Sequence, residues 1–129
     1  MNEIPVIDAK SLNIEYHLNK QWLNALLDVA LTINPLEIHG LVGESGSGKS
    51  TLALALMRYL AANARIASGQ ILFEGEDLVQ KTDADMRQIW GRQMSLVPQN
   101  PLDSLNPSYS IGDQMGEITQ LHLDILWGY

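Results

Sequence analysis

Gly43-Glu44-Ser45-Gly46-Ser47-Gly48-Lys49-Ser50, followed by Thr51, is the stretch of this 129-residue chain whose residue types and spacing could do chemistry. It matches G-x-x-x-x-G-K-[ST], the pattern of a loop that cradles nucleotide phosphates. Its glycines permit backbone angles that other residues resist. Successive N–H groups can therefore curl around phosphate oxygens, helped by the positive end of a following helix. Lys49 supplies a point charge for the β- and γ-phosphates, Ser50 offers a hydroxyl to Mg²⁺, and Thr51 reaches the α-phosphate side. At an average glycine usage of about 7%, the pattern arises by chance in roughly 0.4% of chains of this length, so a coincidental glycine-rich turn is a poor account of it. The loop alone does not separate a kinase from a GTPase, a motor or a transporter ATPase.

Such a loop must be held between a strand and a helix. Residues 38–42 are an apolar run that predicts a buried central strand leading into it, and the helix-favouring run 52–62, apolar nearly all round, predicts a well-covered helix leading out. Upstream, Leu12, Ile14, Tyr16 and Leu18 alternate with Ser11, Asn13, Glu15 and His17, the signature of a half-buried strand. After a polar connection Leu27, Val29, Leu31 and Ile33 repeat the alternation until Asn34-Pro35, predicting an antiparallel partner. Downstream, 69–74 reads as a short strand with a turn over 75–77. Thr82 and Asp85 have capping-box spacing ahead of Met86, Ile89 and Trp90 on one helical face. Residues 94–97 predict a second buried strand, and "PQNPLDSLNP" is too proline-rich for regular structure. From Ile111 onward Met115, Ile118 and Ile125 share a helical face, with Ser110 or Asp113 as the cap.

Composition narrows the function classes. The chain fits one compact domain, and its 46% apolar and 18% charged residues are ordinary for a folded protein. A net charge of -7 argues against binding nucleic acid or anionic membrane surfaces. Cysteine is absent, which removes disulfides and thiolate metal sites and suits a reducing compartment. No segment approaches the roughly 20 apolar residues that span a bilayer, and the amino terminus has no signal-peptide pattern. The expected location is cytoplasmic.

Three segments in order, "GLVGESGSGKSTLALAL", "ASGQILFEGEDL" and "SLVPQNPLDSLNP", resemble the Walker A segment, the strand and turn after the Walker helix, and the Q-loop of ABC-transporter ATPases. The similarity is to the dipeptide, oligopeptide and nickel importer group. The resemblance implies an α/β P-loop NTPase core of the ABC ATPase type, with an amino-terminal antiparallel β portion (1–36), a core part (37–99), and the Q-loop with the start of a helical subdomain (100–129). It implies ATP and Mg²⁺ as ligands. Gln99 takes the position of the Q-loop glutamine, which reaches Mg²⁺ and the attacking water at the end of a core strand; read without the family, Gln99 is a polar residue ending a strand. Tyr16 matches the aromatic position that stacks on adenine, and its flat apolar face with a polar tip suits a base. An inward tyrosine of a half-buried strand is the competing reading, and Trp22 is a second candidate for the base. The resemblance further implies a membrane subunit docked on residues 100–110, from Asn100 to Ser110, a second ATP-binding subunit across the nucleotide, and a peripheral position on the inner face of the cell membrane.

The departures are as informative. Where the family usually has glycine beside glutamate before the core strand, this chain has Pro35-Leu36-Glu37. The 129 residues contain no apolar run followed by Asp-Glu, hence no Walker B carboxylate and no neighbouring catalytic glutamate, and no "LSGGQ" signature. Ser68-Gly69-Gln70 imitates the signature but lies upstream of the Q-loop. His17, His39 and His122 do not match the position of the family's switch histidine, and their wide separation argues against a metal site. The expectation is an ATP-binding subunit truncated before the signature and Walker B motifs, with Leu123, Ile125, Leu126 and Trp127 lacking a partner and hydrolysis absent from the chain alone. A non-catalytic module binding nucleotide or a membrane subunit, and another P-loop enzyme such as a kinase, are the alternatives.

Overall fold

A computed structural model describes residues 4–123. β1 (Ile7–Leu18) pairs with β2 (Gln21–Ile33) on one edge and with β3 (Ala64–Phe73) on the other, and the short β4 (Glu76–Asp77) pairs with β3. The sheet is antiparallel throughout, in the order β2-β1-β3-β4. β1 and β2 are joined by Asn19 and Lys20, both left-handed at φ 49 and 65, the conformation whose twist matches a two-residue hairpin. The polar connection is therefore a tight turn, and the ladder continues to Leu18 opposite Gln21. Glu74 and Gly75 turn the β3–β4 hairpin in the same way, so the expected turn at 75–77 is displaced by one residue.

Three strands carry a bulge at the same level. Ser11, Asp28 and Gly69 all take positive φ, at 45, 49 and 99, and the register of β1 slips against both neighbours there. The extra residue resets the alternation, so Ile7 and Ala9 before it and Leu12 and Ile14 after it are all buried. Gly69 is required: a Cβ would fall 2.5 Å from the Ser11 carbonyl oxygen. Asn13 ties the three strands together, its side-chain amide donating to Ser11 O and Ser68 Oγ while its carbonyl accepts from Asp28 N. On β2 the bulge overturns the expected pattern, because Leu26 is buried and Leu27 is 70% exposed.

α1 (Lys49–Leu56) packs on β1 and β2 and buries Leu52, Ala55 and Leu56. It stops well before residue 62. Arg58 turns left-handed at φ 52, with its N–H donating to Ala55 O and Tyr59 N–H to Leu54 O. A non-glycine residue resists this conformation. Here the guanidinium offsets the cost by donating to the carbonyls of Leu78 and Lys81 and to Asp83 Oδ1, which draws the chain out of the helix. Leu12, Ile14, Ile71, Leu78 and Met86 are the largest fully buried side chains, each contributing about 1.5–3 kcal/mol by leaving water.

α2 (Asp83–Ile89) starts with the expected capping box. Asp85 Oδ2 accepts from the Thr82 hydroxyl at 2.7 Å and from Thr82 N at 3.0 Å, and Thr82 Oγ1 accepts from Asp85 N at 3.2 Å. The Thr82 hydroxyl first, then its N–H, hold the Asp85 carboxyl below its ordinary pKa. With the folded value depressed, the cap's contribution is complete above the unfolded value of about 3.9 and is lost as pH falls through the folded one. Thr82→Ala, which removes the hydroxyl and keeps the backbone N–H, is expected to move the NMR titration midpoint of Asp85 upward toward the ordinary range; an unchanged midpoint would remove the hydroxyl's part in the cap.

The contacts divide the chain into two units, Met1–Met86 and Arg87–Tyr129. In the second, a 3-10 turn (Pro101–Ser104) interrupts the proline-rich segment, and α3 (Ile111–Leu123) is capped by Ser110, whose Oγ accepts from Asp113 N. Ile111, Met115, Ile118 and Leu121 of α3 are exposed, and Ile125 lies outside the described residues.

Two expected strands do not form. Residues 38–42 have no ladder partner among the described residues, with Ile38 100% and Val42 93% exposed. In 94–97 only Met94 pairs, in a single parallel bridge with Trp90, and Val97 is 86% exposed. A central parallel strand exists only when neighbours satisfy its N–H and C=O groups on both edges. β1 to β4 satisfy one another instead.

Candidate phosphate-binding loop

Residues 43–51 form one continuous loop-to-helix junction. Ser47 N donates to Glu44 O at 3.2 Å, closing a turn, while Gly46 and Gly48 take φ 81 and 92. Gly43 approaches Ser47 so closely that a Cβ would lie 2.7 Å from its Oγ. Gly48 is the cap of α1 and makes no side-chain bond, leaving the first-turn N–H groups of Lys49, Ser50 and Thr51 without partners inside the helix. No acidic residue occupies that turn, so the positive end of α1 is uncompensated by its own side chains.

Lys49 Nζ folds over the loop, donating to Gly43 O at 2.7 Å and Glu44 O at 2.6 Å, with Ser47 Oγ at 3.4 Å. The ammonium is thus held above the turn by flexible contacts that an anion can replace. Ser50 is exposed and Thr51 half-buried. Narrow glycine approaches, unpaired helix N–H groups, one ammonium and one free-facing hydroxyl fit a phosphate chain, and the Ser50 hydroxyl fits the hard oxygen preference of Mg²⁺.

The other expected site residues are placed separately. Tyr16 sits half-buried on β1, opposite Leu23 of β2 and Ala64 of β3. Trp22 pairs with His17 across the hairpin, ring centroids 4.9 Å apart, and its ring is covered by the Arg65 guanidinium at 3.9 Å. Arg65 is itself anchored by Glu15 at 2.7 Å. Gln99 belongs to the second unit, where it is exposed in irregular chain; it does not end a strand, because 94–97 lacks the neighbours that would make one.

Ser68-Gly69-Gln70 lies inside β3, at the bulge. His39 Nδ1 lies 3.4 Å from Glu37 Oε1, and among the described residues no group of three or more His, Asp or Glu is placed to hold a metal ion. No described helix is long and apolar enough to cross a membrane. Sequence reading missed Leu26, whose side chain stands against Gly48: a Cβ there would lie 2.7 Å from Leu26 Cδ2 and 3.4 Å from Ala25 O. The alternation of Leu27, Val29, Leu31 and Ile33 points away from it, and only the bulge at Asp28 reverses the phase.

Comparison with known proteins bears on this arrangement directly. The chain is 42% identical over 118 residues to the oligopeptide transport ATP-binding protein OppD of Haemophilus influenzae, covering 92% of this chain and 36% of that protein. It is 40% identical over 119 residues to a putative peptide import ATP-binding protein of Brucella abortus, again covering 92% and 36%. A similar protein of Brucella ovis is 40% identical over 128 residues, covering 95% and 38%. The chain thus spans little more than a third of the curated relatives it matches. Among solved structures it superposes on the dimeric MJ0796, a bacterial ABC transporter cassette, with a TM-score of 0.58 at 21% identity over 84% of this chain and 51% of that one. That likeness gives the α/β fold of an ABC ATPase cassette. The ABC transporter family profile matches residues 26–125, which take in the latter part of β2, the candidate phosphate loop and α1 through α3, and the chain belongs to the ABC transporter family.

Proposed function

We propose that this chain binds Mg-ATP through Gly43, Glu44, Ser45, Gly46, Ser47, Gly48, Lys49, Ser50 and Thr51, and serves as part of the ATP-binding subunit of an ABC importer. The observation that carries the reading is the loop itself: left-handed glycines, partnerless first-turn N–H groups and the Lys49 ammonium converge on one end of α1 within the family match. Peptides are favoured over nickel as cargo, since the relatives compared above carry peptide or oligopeptide in their names. In the assembled transporter, residues 100–110 meet the membrane subunit, Gln99 faces Mg²⁺ and the attacking water, and a second ATP-binding subunit closes over the nucleotide. The protein would then lie in the cytoplasm against the inner face of the membrane. Titration with a fluorescent ATP analogue tests the nucleotide reading: Mg²⁺-dependent saturation displaced by ATP is the expected result, and binding that ATP cannot displace would reject it.

Tyr16 is the assigned adenine contact because the Trp22 ring is already covered by Arg65. Tyr16→Ala is expected to weaken ATP binding by about 1–3 kcal/mol, the size of a base–aromatic stack, with less effect on inorganic triphosphate. Trp22→Ala is expected to leave ATP affinity nearly unchanged. The reverse ranking would place the base on the Trp22 face.

A further inference from the structure

We propose that Leu26 is a positioning residue for phosphate binding: delivered by the bulged sheet, its side chain is the wall against which Gly48 adopts its left-handed conformation where the loop becomes α1. The proposal rests on the reading of residues 43–51 as a phosphate site.

The geometry runs in one continuous chain of contacts. Leu26 is 8% exposed on β2, opposite Ile14, which is fully buried. A Cβ on Gly48 would lie 2.7 Å from Leu26 Cδ2 and 3.4 Å from the Ala25 carbonyl oxygen, so the Leu26 side chain packs directly on the Gly48 backbone. Gly48 is the junction at which the chain passes from φ 92 into helical angles, and Leu52 N–H returns to Gly48 O at 2.8 Å. The direction of the first-turn N–H groups is therefore set at a residue that rests on Leu26.

Leu26 reaches this place because Asp28 is bulged. Without the extra residue, strict alternation would bury Leu27 and turn Leu26 outward. The bulge is held by Asn13, whose carbonyl accepts from Asp28 N at 2.9 Å while its amide fixes Ser11 O at 3.0 Å and Ser68 Oγ at 2.8 Å. Asn13 thus acts on the loop through Leu26, without touching it. A phosphate loop that is correctly shaped only part of the time binds more weakly by that fraction, whichever phosphate ligand is offered.

The test is calorimetric titration of the chain with Mg-ATP and with inorganic tripolyphosphate plus Mg²⁺, reading Kd and stoichiometry separately. Leu26→Ala is expected to raise Kd about tenfold for both ligands with stoichiometry unchanged, and Leu26→Met, which conserves volume, to recover most of the loss. A fall in stoichiometry with unchanged Kd would mean that Leu26 only supports folding, and would overturn the proposal. So would a loss confined to ATP, which would place Leu26 against the base. Should Leu26→Ala not fold, Asn13→Ala decides, since it leaves the core volume untouched; a Kd raised about threefold for both ligands supports the proposal, and an unchanged Kd overturns it. Lys49→Ala separates the two levels of the argument. If its Kd equals that of the parent chain, the phosphate-site reading fails and the proposal with it; if Lys49→Ala loses affinity while Leu26→Ala does not, the proposal alone fails.

Discussion

Replacing Lys49 with alanine is expected to lower Mg-ATP affinity by about 1.5–3 kcal/mol, the range of a hydrogen bond to a charged group, which is roughly a 10- to 150-fold rise in Kd. Two losses combine. The β- and γ-phosphates lose the nearest positive charge, and the free loop loses the ammonium that joins Gly43 O, Glu44 O and Ser47 Oγ. The second lowers affinity to the extent that those contacts hold the free loop in its binding shape. Lys49→Arg separates the terms: it keeps the charge, but a planar fork cannot converge on three acceptors around one atom as an ammonium does. It is expected to restore part of the affinity. A fluorescent ATP analogue measures both variants, with circular dichroism confirming that each is folded. Equal affinity for Lys49→Ala and the parent chain would mean that the loop holds no phosphate.

The candidate loop was more legible in the sequence than the sheet that supports it. A motif such as that from Gly43 to Ser50 concentrates its chemistry in adjacent residues, so neither long-range pairing nor strand phase is needed to recognise it. The sheet depends on both. Alternation at Leu12, Ile14, Tyr16 and Leu18 identified β1, yet the three matching bulges at Ser11, Asp28 and Gly69 leave only weak local signals, and one of them reverses which face of β2 is buried. Gly69 carried a signal in principle, since an isolated glycine in a strand pattern suggests a bulge or a close backbone approach. The helix after the loop was expected to reach residue 62, because Leu, Ala and Met favour helix; its end at Leu56 is decided by Arg58 reaching acceptors at Leu78, Lys81 and Asp83, contacts more than 19 residues away in sequence. Residues 38–42 and 94–97 have the composition of central strands, but composition cannot supply neighbours. Where no described neighbour pairs with them they stay outside any sheet and are largely exposed. Gln99 inherits that outcome, because a residue that ends a strand is only as well placed as the strand.

The sheet also supports the candidate phosphate loop from below. β1 contributes Leu12 and Ile14, β2 contributes Leu26, and α1 returns Leu52, Ala55 and Leu56 onto them, so the helix that presents the loop is packed from below even though the run entering the loop is not. Most helical stability in proteins comes from such packing. On the proposed reading binding and turnover therefore separate: the groups proposed to bind are adjacent in sequence and fixed by one packed helix, whereas hydrolysis needs further groups beyond that loop.

That separation leads to the expectation that the 129-residue chain binds ATP yet hydrolyses it no faster than background. Phosphoryl transfer to water needs a positioned metal, an oriented nucleophile and compensation for charge spreading over the γ-phosphate. On the proposed reading Lys49 and Ser50 would supply part of the phosphate and metal shell, and Gln99 is one further candidate, in an exposed segment of the second unit. The 129 residues contain no Asp-Glu pair to follow a core strand and no "LSGGQ" to oppose the γ-phosphate. Groups that act as a unit are strongly non-additive, so losing any one can cost orders of magnitude and the remainder then contribute little to rate. Binding energy spent equally on ground state and transition state does not repair this. The assay is phosphate release from the purified chain beside its Lys49→Ala variant, over a range of protein concentrations, with and without Mg²⁺. Turnover of about 1 per second or faster, within the ordinary enzyme range, that requires Mg²⁺ and disappears in the variant would show that these residues suffice for catalysis. Rates that stay at the level of the variant would confine the chain's own chemistry to holding the nucleotide.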